Sequence, residues 1–323
     1  MSAVLVIRPS SLGDIVYALA VAADIRRHRP DAAIDWVAER GFAPLVALCP
    51  DIRTIIPFAL RRWRRAPLAQ ATWQEIGTFR RDVRAARYTA ILDLQEQVKG
   101  ALVARMAKGR RHGFDRRNIR EPLATLLDDV HHPIDRNQHF IDKARAMAAA
   151  ALGYSATGPA RWRFAPPVSA PEMPAGPYAI ALHATSRDDK LWPEDAWRNV
   201  LEAWDRAGLA SVLPWGNAAE ESRSRRLAQG IAGAIVPGWL GLPEVASLLA
   251  RAALAIGVDT GFTHLAAALR TPTIAIFAAT SAELHGVAAA GTHARDVGGP
   301  GAPPTADEVL SAAGEHLRQG AAC

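Results

Sequence analysis

The stretch VDTGFTHLAAAL, residues 258–269, places an acid, hydroxyl groups, a glycine and a histidine between two apolar runs. Asp259 and Thr260 follow LAIGV, which reads as a buried strand, and His264 lies one turn into the helix expected after Gly261. A capping Asp or Thr beside a buried histidine is the simpler interpretation. The capping interpretation does not explain why several polar side chains lie next to an apolar helix. We therefore expect this turn to bind the diphosphate of a nucleotide sugar.

A second polar cluster, ATSRDDKLWP at residues 184–193, follows the apolar run YAIALHA. Thr185 and Ser186 offer hydroxyl groups, and Lys190 adds a positive charge at the end of the expected strand. These groups suit a phosphate cradle, in which hydroxyls and backbone N–H groups orient the oxygens. The alternative is that the acids of this stretch only pair with Arg187 or Lys190 on the surface.

Two more polar clusters follow expected strands. In PSSLGD, Ser10 is either a turn residue or a ligand contact, and Asp14 is either a favourable charge in the first helical turn or a general base. In PWGNAAEE, Gly216 permits a close backbone approach, and Glu220 is either a ribose ligand or a surface charge of the next helix.

Positive charge is concentrated in the first half of the chain. Residues 1–160 carry 25 Lys or Arg against 16 Asp or Glu, a net charge of +9, whereas the remainder carries 13 against 16. The run RRWRR at residues 61–65 is the densest part, and cations at residues 110–120, including Arg120, are expected to join it. A solvated helix face is the ordinary outcome, but four cations around one tryptophan favour an anionic, amphiphilic ligand at a membrane surface.

Several function classes lose their support. The chain has no GxGxxG and no GxxxxGK[ST] motif, which argues against a dehydrogenase and a P-loop NTPase. Residues 128–139, DDVHHPIDRNQH, contain metal-capable side chains without a regular ligand spacing, so we expect no metal there. The two cysteines, Cys49 and Cys323, form neither a disulfide framework nor a metal site.

The elements that must position these clusters are strands alternating with helices. Apolar runs such as AVLVIR and TAILDLQ alternate with amphipathic stretches at about residues 15–28, 194–207 and 243–251. The alternation predicts an α/β fold with parallel sheets, and 323 residues are enough for two domains. We expect domains at 1–158 and 178–303, a proline-rich linker at 159–177, and a last segment, 304–323, with a helix that can cross back to the first domain.

The amino-terminal apolar run is short and is interpreted as a first strand, not as a signal peptide. No stretch approaches the roughly 18 uninterrupted apolar residues of a membrane span. The sequence therefore predicts a cytoplasmic protein.

Taken together, PSSLGDIV, RRWRR, ATSRDDKLWPE, PWGNAAEE and VDTGFTHLAAAL resemble the lipopolysaccharide heptosyltransferases of glycosyltransferase family 9, most closely their type I members. The resemblance covers nearly the whole chain in the right order. RDDK together with VDTGxxHL is specific, whereas RRWRR or SLGD alone is weak. It implies a GT-B fold, with two Rossmann-like domains facing across a cleft, the first binding the acceptor and the second the donor.

The resemblance also implies an activity in lipopolysaccharide inner-core biosynthesis. Family members transfer L-glycero-D-manno-heptose from ADP-heptose to the inner Kdo of Kdo2-lipid A, with inversion and without a metal or other cofactor. We accordingly expect a monomer that associates peripherally with the cytoplasmic face of the inner membrane and binds no nucleic acid.

Carried over residue by residue, the resemblance implies Asp14 as the general base and Lys190 as the cation that neutralises the departing ADP. Asp259 is expected to hold the heptose hydroxyls and Glu220 the ribose. The expected donor-binding residues are Thr185, Ser186, Lys190, Glu220, Asp259, Thr260, Gly261 and His264. The expected acceptor-binding residues are Ser10, Arg61, Arg62, Arg64, Arg65 and Arg120.

One stretch departs from the family. TIAIFAATSAELHG follows the donor turn, where relatives more often carry a Gly-Pro turn. The resemblance therefore does not assign the residues of the adenine pocket. The alternatives are a type II heptosyltransferase, a nucleotide-sugar epimerase, and a non-catalytic binder of anionic lipid or nucleic acid. An epimerase has no use for a basic acceptor face, and the basic region has few aromatic residues for stacking on bases.

Overall fold

A computed structural model describes residues 2–165 and 174–320, with side chains described as far as Glu315. The chain divides into two compact units, Met1–Ala165 and Pro166–Cys323.

The described part of the first unit is a parallel sheet covered by helices. Its strands are β1 (Ala3–Ile7), β2 (Ala33–Glu39), β3 (Ile52–Phe58), β4 (Arg87–Asp93), β5 (Lys108–Phe114) and β6 (Val130–His132), in the order β3-β2-β1-β4-β5-β6. The helices are α1 (Leu12–His28), α2 (Ala43–Val46), α3 (Leu60–Arg65), α4 (Gln70–Val83), α5 (Val98–Met106) and α6 (Phe140–Leu152), with short 3-10 helices at Arg40–Phe42 and Pro122–Leu127.

The second unit repeats this plan. Its strands are β7 (Tyr178–Leu182), β8 (Ala210–Val212), β9 (Ala234–Ile235), β10 (Leu254–Val258), β11 (Thr273–Phe277) and β12 (Ala294–Gly298), in the order β12-β11-β10-β7-β8-β9. The helices are α7 (Glu194–Arg206), α8 (Ala218–Ala228), α9 (Leu242–Arg251), α10 (Gly261–Ala268), α11 (Ala282–His285) and α12 (Ala306–Gly320), with short 3-10 helices at Asp188–Lys190 and Ala288–Ala290.

Each sheet has one point where the strand order reverses. In the first unit the chain runs outward from β1 to β3 and then returns to place β4 on the other side of β1. In the second unit β10 returns to pair with β7 in the same way. Loops that leave the carboxyl ends of such neighbouring strands diverge and open a crevice, which is where ligands bind in α/β sheets.

Apolar side chains bury both faces of the central strands, as parallel sheets require. Every residue of β1, β7, β10 and β11 is buried. In the second unit Trp192 and Trp197 pack edge to face, with ring centroids 5.2 Å apart. Val309 of α12 lies in the same core, so the last helix packs on its own unit. The expectation that this helix reaches the first unit stays a prediction.

The start of the predicted linker packs onto the first unit. Trp162 Nε1 donates to the carbonyl of Val16 at 2.7 Å, and Arg163 pairs with Asp51 at 2.6 Å. The predicted linker continues through residues 166–173, which lie outside the described residues. No helix in the described part of the chain combines the length and apolar character that a bilayer span needs.

Gly257 sets the closest packing beside the turn after β10. A Cβ atom at this position would lie within 3.0 Å of Thr263 Oγ1 and Leu182 Cβ. We expect Gly257→Ala to lower the free energy of unfolding by about 1–3 kcal/mol through overpacking, measured by urea unfolding. Gly77→Ala is the matched control, because nothing lies within 4 Å of its Cβ position in α4. Gly77→Ala should raise the free energy of unfolding by roughly 0.5–1 kcal/mol. An unchanged urea midpoint for Gly257→Ala would contradict the predicted overpacking.

Candidate active site

An ion pair joins the two loops at the strand reversal of the second unit. Lys190 ends the 3-10 helix in the loop after β7, and Asp259 follows β10. Lys190 Nζ lies 2.6 Å from Asp259 Oδ2, and the two side chains are 18 % and 8 % exposed. Lys190 has three N–H donors, so this contact leaves the others for a second anion.

The Asp259 carboxylate has two further partners. His264 Nε2, one turn into α10, lies 3.2 Å from Oδ1, and the Thr280 hydroxyl donates to Oδ2 at 2.6 Å. Burial raises the pKa of Asp259, but His264, Lys190 and Thr280 outweigh this effect and hold the pKa well below its usual range. The side chain is therefore a fixed anion that orients a lysine and a histidine.

The predicted phosphate cradle is partly assembled around this anion. Thr185 Oγ1 donates to the Asp259 carbonyl at 3.2 Å, whereas Ser186 is exposed in the same loop. Thr260 precedes α10 and Gly261 begins it. The buried Thr263 hydroxyl donates to the Val258 carbonyl at 2.7 Å and ties the first turn of the helix to the end of the strand. A helix N-terminus next to a lysine is a site where an anion is favoured.

Glu220 lies in another turn of the second unit, at the start of α8. Its carboxylate accepts hydrogen bonds from the Gly216 N–H at 2.8 Å and from the Asn217 side-chain amide at 2.6 Å. Asn217 caps the helix by accepting from the backbone N–H of Glu220 at 3.0 Å. The contacts of Glu220 hold the turn after β8, and no described hydrogen bond or ion pair joins it to Asp259.

In the first unit, Asp14 lies at the strand reversal between β1 and β4, as Lys190 and Asp259 lie at the reversal of the second unit. It is the third residue of α1, and Arg8 Nη2 donates to its Oδ1 at 2.6 Å. The backbone N–H and the hydroxyl of Ser11 both donate to Oδ2 at 2.8 Å. Burial raises the pKa of Asp14, but Arg8 and Ser11 outweigh this effect, so the net pKa lies below the usual value and the carboxylate is ionised at neutral pH.

Ser10, next to this carboxylate, is contacted by a lysine. Lys99, in the first turn of α5 after β4, donates to the Ser10 hydroxyl at 3.2 Å. Burial lowers the pKa of Lys99, and the charges of Arg61 and Arg8 lower it while those of Glu39 and Asp14 raise it. Lys99 is therefore a cation that contacts the loop before Asp14 and feels the charges of Arg61 and Asp14.

The run RRWRR forms most of α3, with its arginines exposed and its tryptophan inside. Trp63 packs edge to face on Phe58, with centroids 5.3 Å apart, and its Nε1 donates to Glu75 at 3.0 Å. Trp63 is therefore part of the core of the first unit. Arg62 pairs with Glu75. Arg61, Arg64 and Arg65 are exposed on the same helix, and Arg120 is exposed before the 3-10 helix at Pro122–Leu127.

Among the side chains that the structure describes, no three His, Cys, Asp or Glu residues converge as a metal site. The histidines of the stretch 128–139 have other neighbours: His132 Nε2 lies 3.0 Å from His112 Nδ1, and His131 Nε2 lies 2.8 Å from the Thr125 carbonyl oxygen. Metal independence stays a prediction.

Comparison with known proteins decides the family. The sequence model of glycosyltransferase family 9 (heptosyltransferase) matches residues 76–299. Lipopolysaccharide heptosyltransferase 1 of Escherichia coli (strain K12) is 39 % identical over 286 residues, covering 88 % of this chain and 90 % of the relative. The chain belongs to glycosyltransferase family 9.

Solved structures agree with this membership of glycosyltransferase family 9. E. coli heptosyltransferase WaaC with ADP is 36 % identical, with a TM-score of 0.90 over 97 % of this chain and 99 % of that chain. WaaC with ADP-2-deoxy-2-fluoro heptose is 35 % identical, with a TM-score of 0.86 and the same coverage. The predicted α/β class with two Rossmann-like units of the GT-B type is confirmed, as is the prediction of a glycosyltransferase.

Sequence reasoning missed three side chains near the polar clusters: Arg8 and Lys99 in the first unit and Thr280 in the second. Each lies at or just beyond the carboxyl end of a strand, after β1, β4 and β11 respectively. Arg8 ends an apolar run and is nonetheless buried. A search of every strand end for polar residues, instead of motifs alone, would have found all three.

We expect Asp259→Asn to lower the free energy of unfolding by about 2–3 kcal/mol at neutral pH, because Lys190 loses its partner while partly buried. The native pKa of Asp259 is depressed, so this contribution is complete above the unfolded value of about 4 and is lost as the pH falls through the folded pKa. Urea unfolding of both proteins at several pH values measures it.

The exposed neighbour Asp188 provides a matched control. Asp188→Asn should change stability by less than about 0.5 kcal/mol at every pH. A difference between Asp259→Asn and the parent protein that grows below pH 4 would contradict the assigned role of the ion pair.

Proposed function

We propose that this protein transfers L-glycero-D-manno-heptose from ADP-heptose to the inner Kdo of Kdo2-lipid A, inverting the anomeric centre without a metal. The observation that carries the proposal is the Lys190–Asp259 ion pair at the strand reversal of the second unit. Support comes from the relatives, one named lipopolysaccharide heptosyltransferase 1 and one solved with ADP and with an ADP-heptose analogue.

The donor is held by the second unit in this proposal. Lys190 faces the diphosphate with the N–H groups that Asp259 leaves free, and the turn Thr260–Gly261 presents backbone N–H groups to the phosphate oxygens. Thr185, Ser186 and His264 complete the diphosphate site. Asp259 accepts from three protein donors and so has one acceptor position left on Oδ1 for a heptose hydroxyl, and Glu220 takes the ribose.

The acceptor is activated by the first unit. Asp14 removes the proton from the acceptor hydroxyl as that oxygen forms a bond to the anomeric carbon of heptose. The bond from this carbon to the phosphate oxygen breaks on the opposite face, so the configuration inverts and ADP leaves. One carboxylate is sufficient for such a single displacement, and Lys190 stabilises the negative charge that develops on the leaving diphosphate.

Held by Arg8 and Ser11, Asp14 keeps one orientation for this proton transfer. Ser10 and the arginines are proposed to bind the anionic groups of the acceptor, the Kdo carboxylates and lipid A phosphates. These arginines are Arg61, Arg62, Arg64, Arg65 and Arg120. We also propose a monomer that works peripherally at the cytoplasmic face of the inner membrane.

Incubation of the purified protein with ADP-heptose and deacylated Kdo2-lipid A, in the presence of a chelator, tests this function. The proposal requires a mass gain of one heptose in the acceptor. No gain with this acceptor, together with a gain on an acceptor that already carries one heptose, would favour the type II alternative. Activity that disappears with the chelator and returns with a divalent metal would contradict the role given to Lys190.

Asp14→Asn should lower kcat by about 10²–10⁴, because general-base catalysis contributes this much. The affinity for ADP should stay within about twofold of the parent value, because the carboxylate acts on the acceptor. Steady-state kinetics and calorimetric titration with ADP measure the two quantities. Asp31→Asn is the matched control, since Asp31 is exposed between α1 and β2, at the opposite edge of the sheet. An Asp14→Asn enzyme that turns over at the parent rate would remove Asp14 as the base.

A further inference from the structure

Two large apolar side chains beside α3 are exposed to solvent. Leu68, in the turn between α3 and α4, is 93 % exposed, and Trp73, in the first turn of α4, is 63 % exposed. Tryptophan is highly buried on average in folded proteins, so an indole this exposed needs a reason. The buried Trp63 nearby shows that this part of the chain has a core, which Trp73 does not join.

The exposure of Trp73 follows from the register of α4. Thr72, Phe79 and Val83 are the buried residues of the helix, and Trp73 projects away from them with Gly77 and Arg80 at helical spacing. The Thr72 hydroxyl donates to the Ala66 carbonyl at 2.7 Å and fixes the turn that carries Leu68. The apolar pair is thus presented by an ordered helix and turn.

The same segment is strongly basic. Residues 60–84 contain seven arginines and two acidic residues. Arg62 pairs with Glu75 and Arg81 with Asp82. In the described part of the chain no carboxylate lies within ion-pair distance of Arg64, Arg65 or Arg80. Exposed arginines without an ion-pair partner therefore precede and follow the exposed leucine and tryptophan in this segment.

We propose that Leu68 and Trp73, with Arg64, Arg65 and Arg80 around them, form a membrane-docking surface for an anionic lipid bilayer. The inference rests on the proposed function, in which the acceptor is a lipid. The indole ring sits at the level of the headgroups and Leu68 enters the acyl boundary, while the arginines keep their charge at the anionic surface. The basic surroundings favour an anionic bilayer over another protein surface.

Flotation with phosphatidylcholine vesicles, with and without about 30 % phosphatidylglycerol, tests the membrane-docking surface. The parent protein should float only with the anionic vesicles, and less as salt increases. The double variant Leu68→Ser with Trp73→Ala should weaken vesicle binding by about tenfold or more. Trp239→Ala is the matched control, since Trp239 of the second unit is 66 % exposed, and it should bind like the parent.

A second double variant, Leu123→Ser with Leu126→Ser, removes another exposed apolar pair of the first unit. Loss of vesicle binding in this variant but not in the Leu68/Trp73 variant would overturn the proposal. So would a parent protein that self-associates in sedimentation through Leu68 and Trp73 and binds no vesicles, because the occupant would then be a second copy of the chain.

Activity on the soluble, deacylated acceptor separates this surface from the proposed function. The Leu68/Trp73 variant should keep kcat/KM within about twofold on that acceptor and lose activity only on acceptor embedded in vesicles. A parent protein inactive on both acceptors that still docks through Trp73 would refute the function and leave the surface intact.

Tryptophan fluorescence gives an independent measurement that needs only a conservative single substitution. Lipids brominated in the acyl chains should quench the parent protein's tryptophan emission, and Trp73→Phe should reduce this quenching where Trp239→Phe does not. Equal quenching in both variants would overturn the assignment of Trp73.

Discussion

The ion pair between Lys190 and Asp259 is the contact on which the second unit's site depends. It joins the loops that follow two adjacent parallel strands, β7 and β10, at the point where the strand order reverses. Because the aspartate also accepts from His264 and Thr280, one anion fixes groups from three loop or helix ends. The close packing of Gly257 against Thr263 holds the start of α10 beside it. A rigid, partly buried lysine at a helix N-terminus results.

The first unit has the same strand reversal, but the group held there is a carboxylate and not an ammonium group. Arg8, at the end of β1, holds the Asp14 carboxylate where β1 and β4 diverge, and Ser11 supplies two more donors. In both units a charged group lies in the short segment or first helical turn that follows a strand at the reversal, and an oppositely charged neighbour fixes its orientation. A carboxylate held in this way suits proton removal, and an ammonium held in this way suits a departing phosphate.

The two sheets and the positions of the polar turns could be predicted from the sequence, because buried parallel strands are apolar runs and the functional polar residues follow them in loops. The runs before Ser10, Thr185 and Asp259 predicted both sheets and the position of each polar turn. The sequence did not determine which side chains pair. The acids of RDDK had Arg187 and Lys190 as alternative partners, whereas in the structure Arg187 pairs with Asp189 and Lys190 pairs with Asp259. The burial of Trp63 and the exposure of Trp73 could not be predicted either, because both depend on packing that local composition does not encode.

Lys190, oriented by Asp259, is proposed to hold the phosphates of the donor nucleotide. Calorimetric titration of the parent and Lys190→Ala proteins with ADP and with adenosine tests it most directly. We expect the substitution to weaken ADP binding by about tenfold or more and to leave adenosine affinity unchanged, because only the diphosphate contacts the ammonium group. Equal ADP affinity in the two proteins, or an equal loss for adenosine, would contradict it.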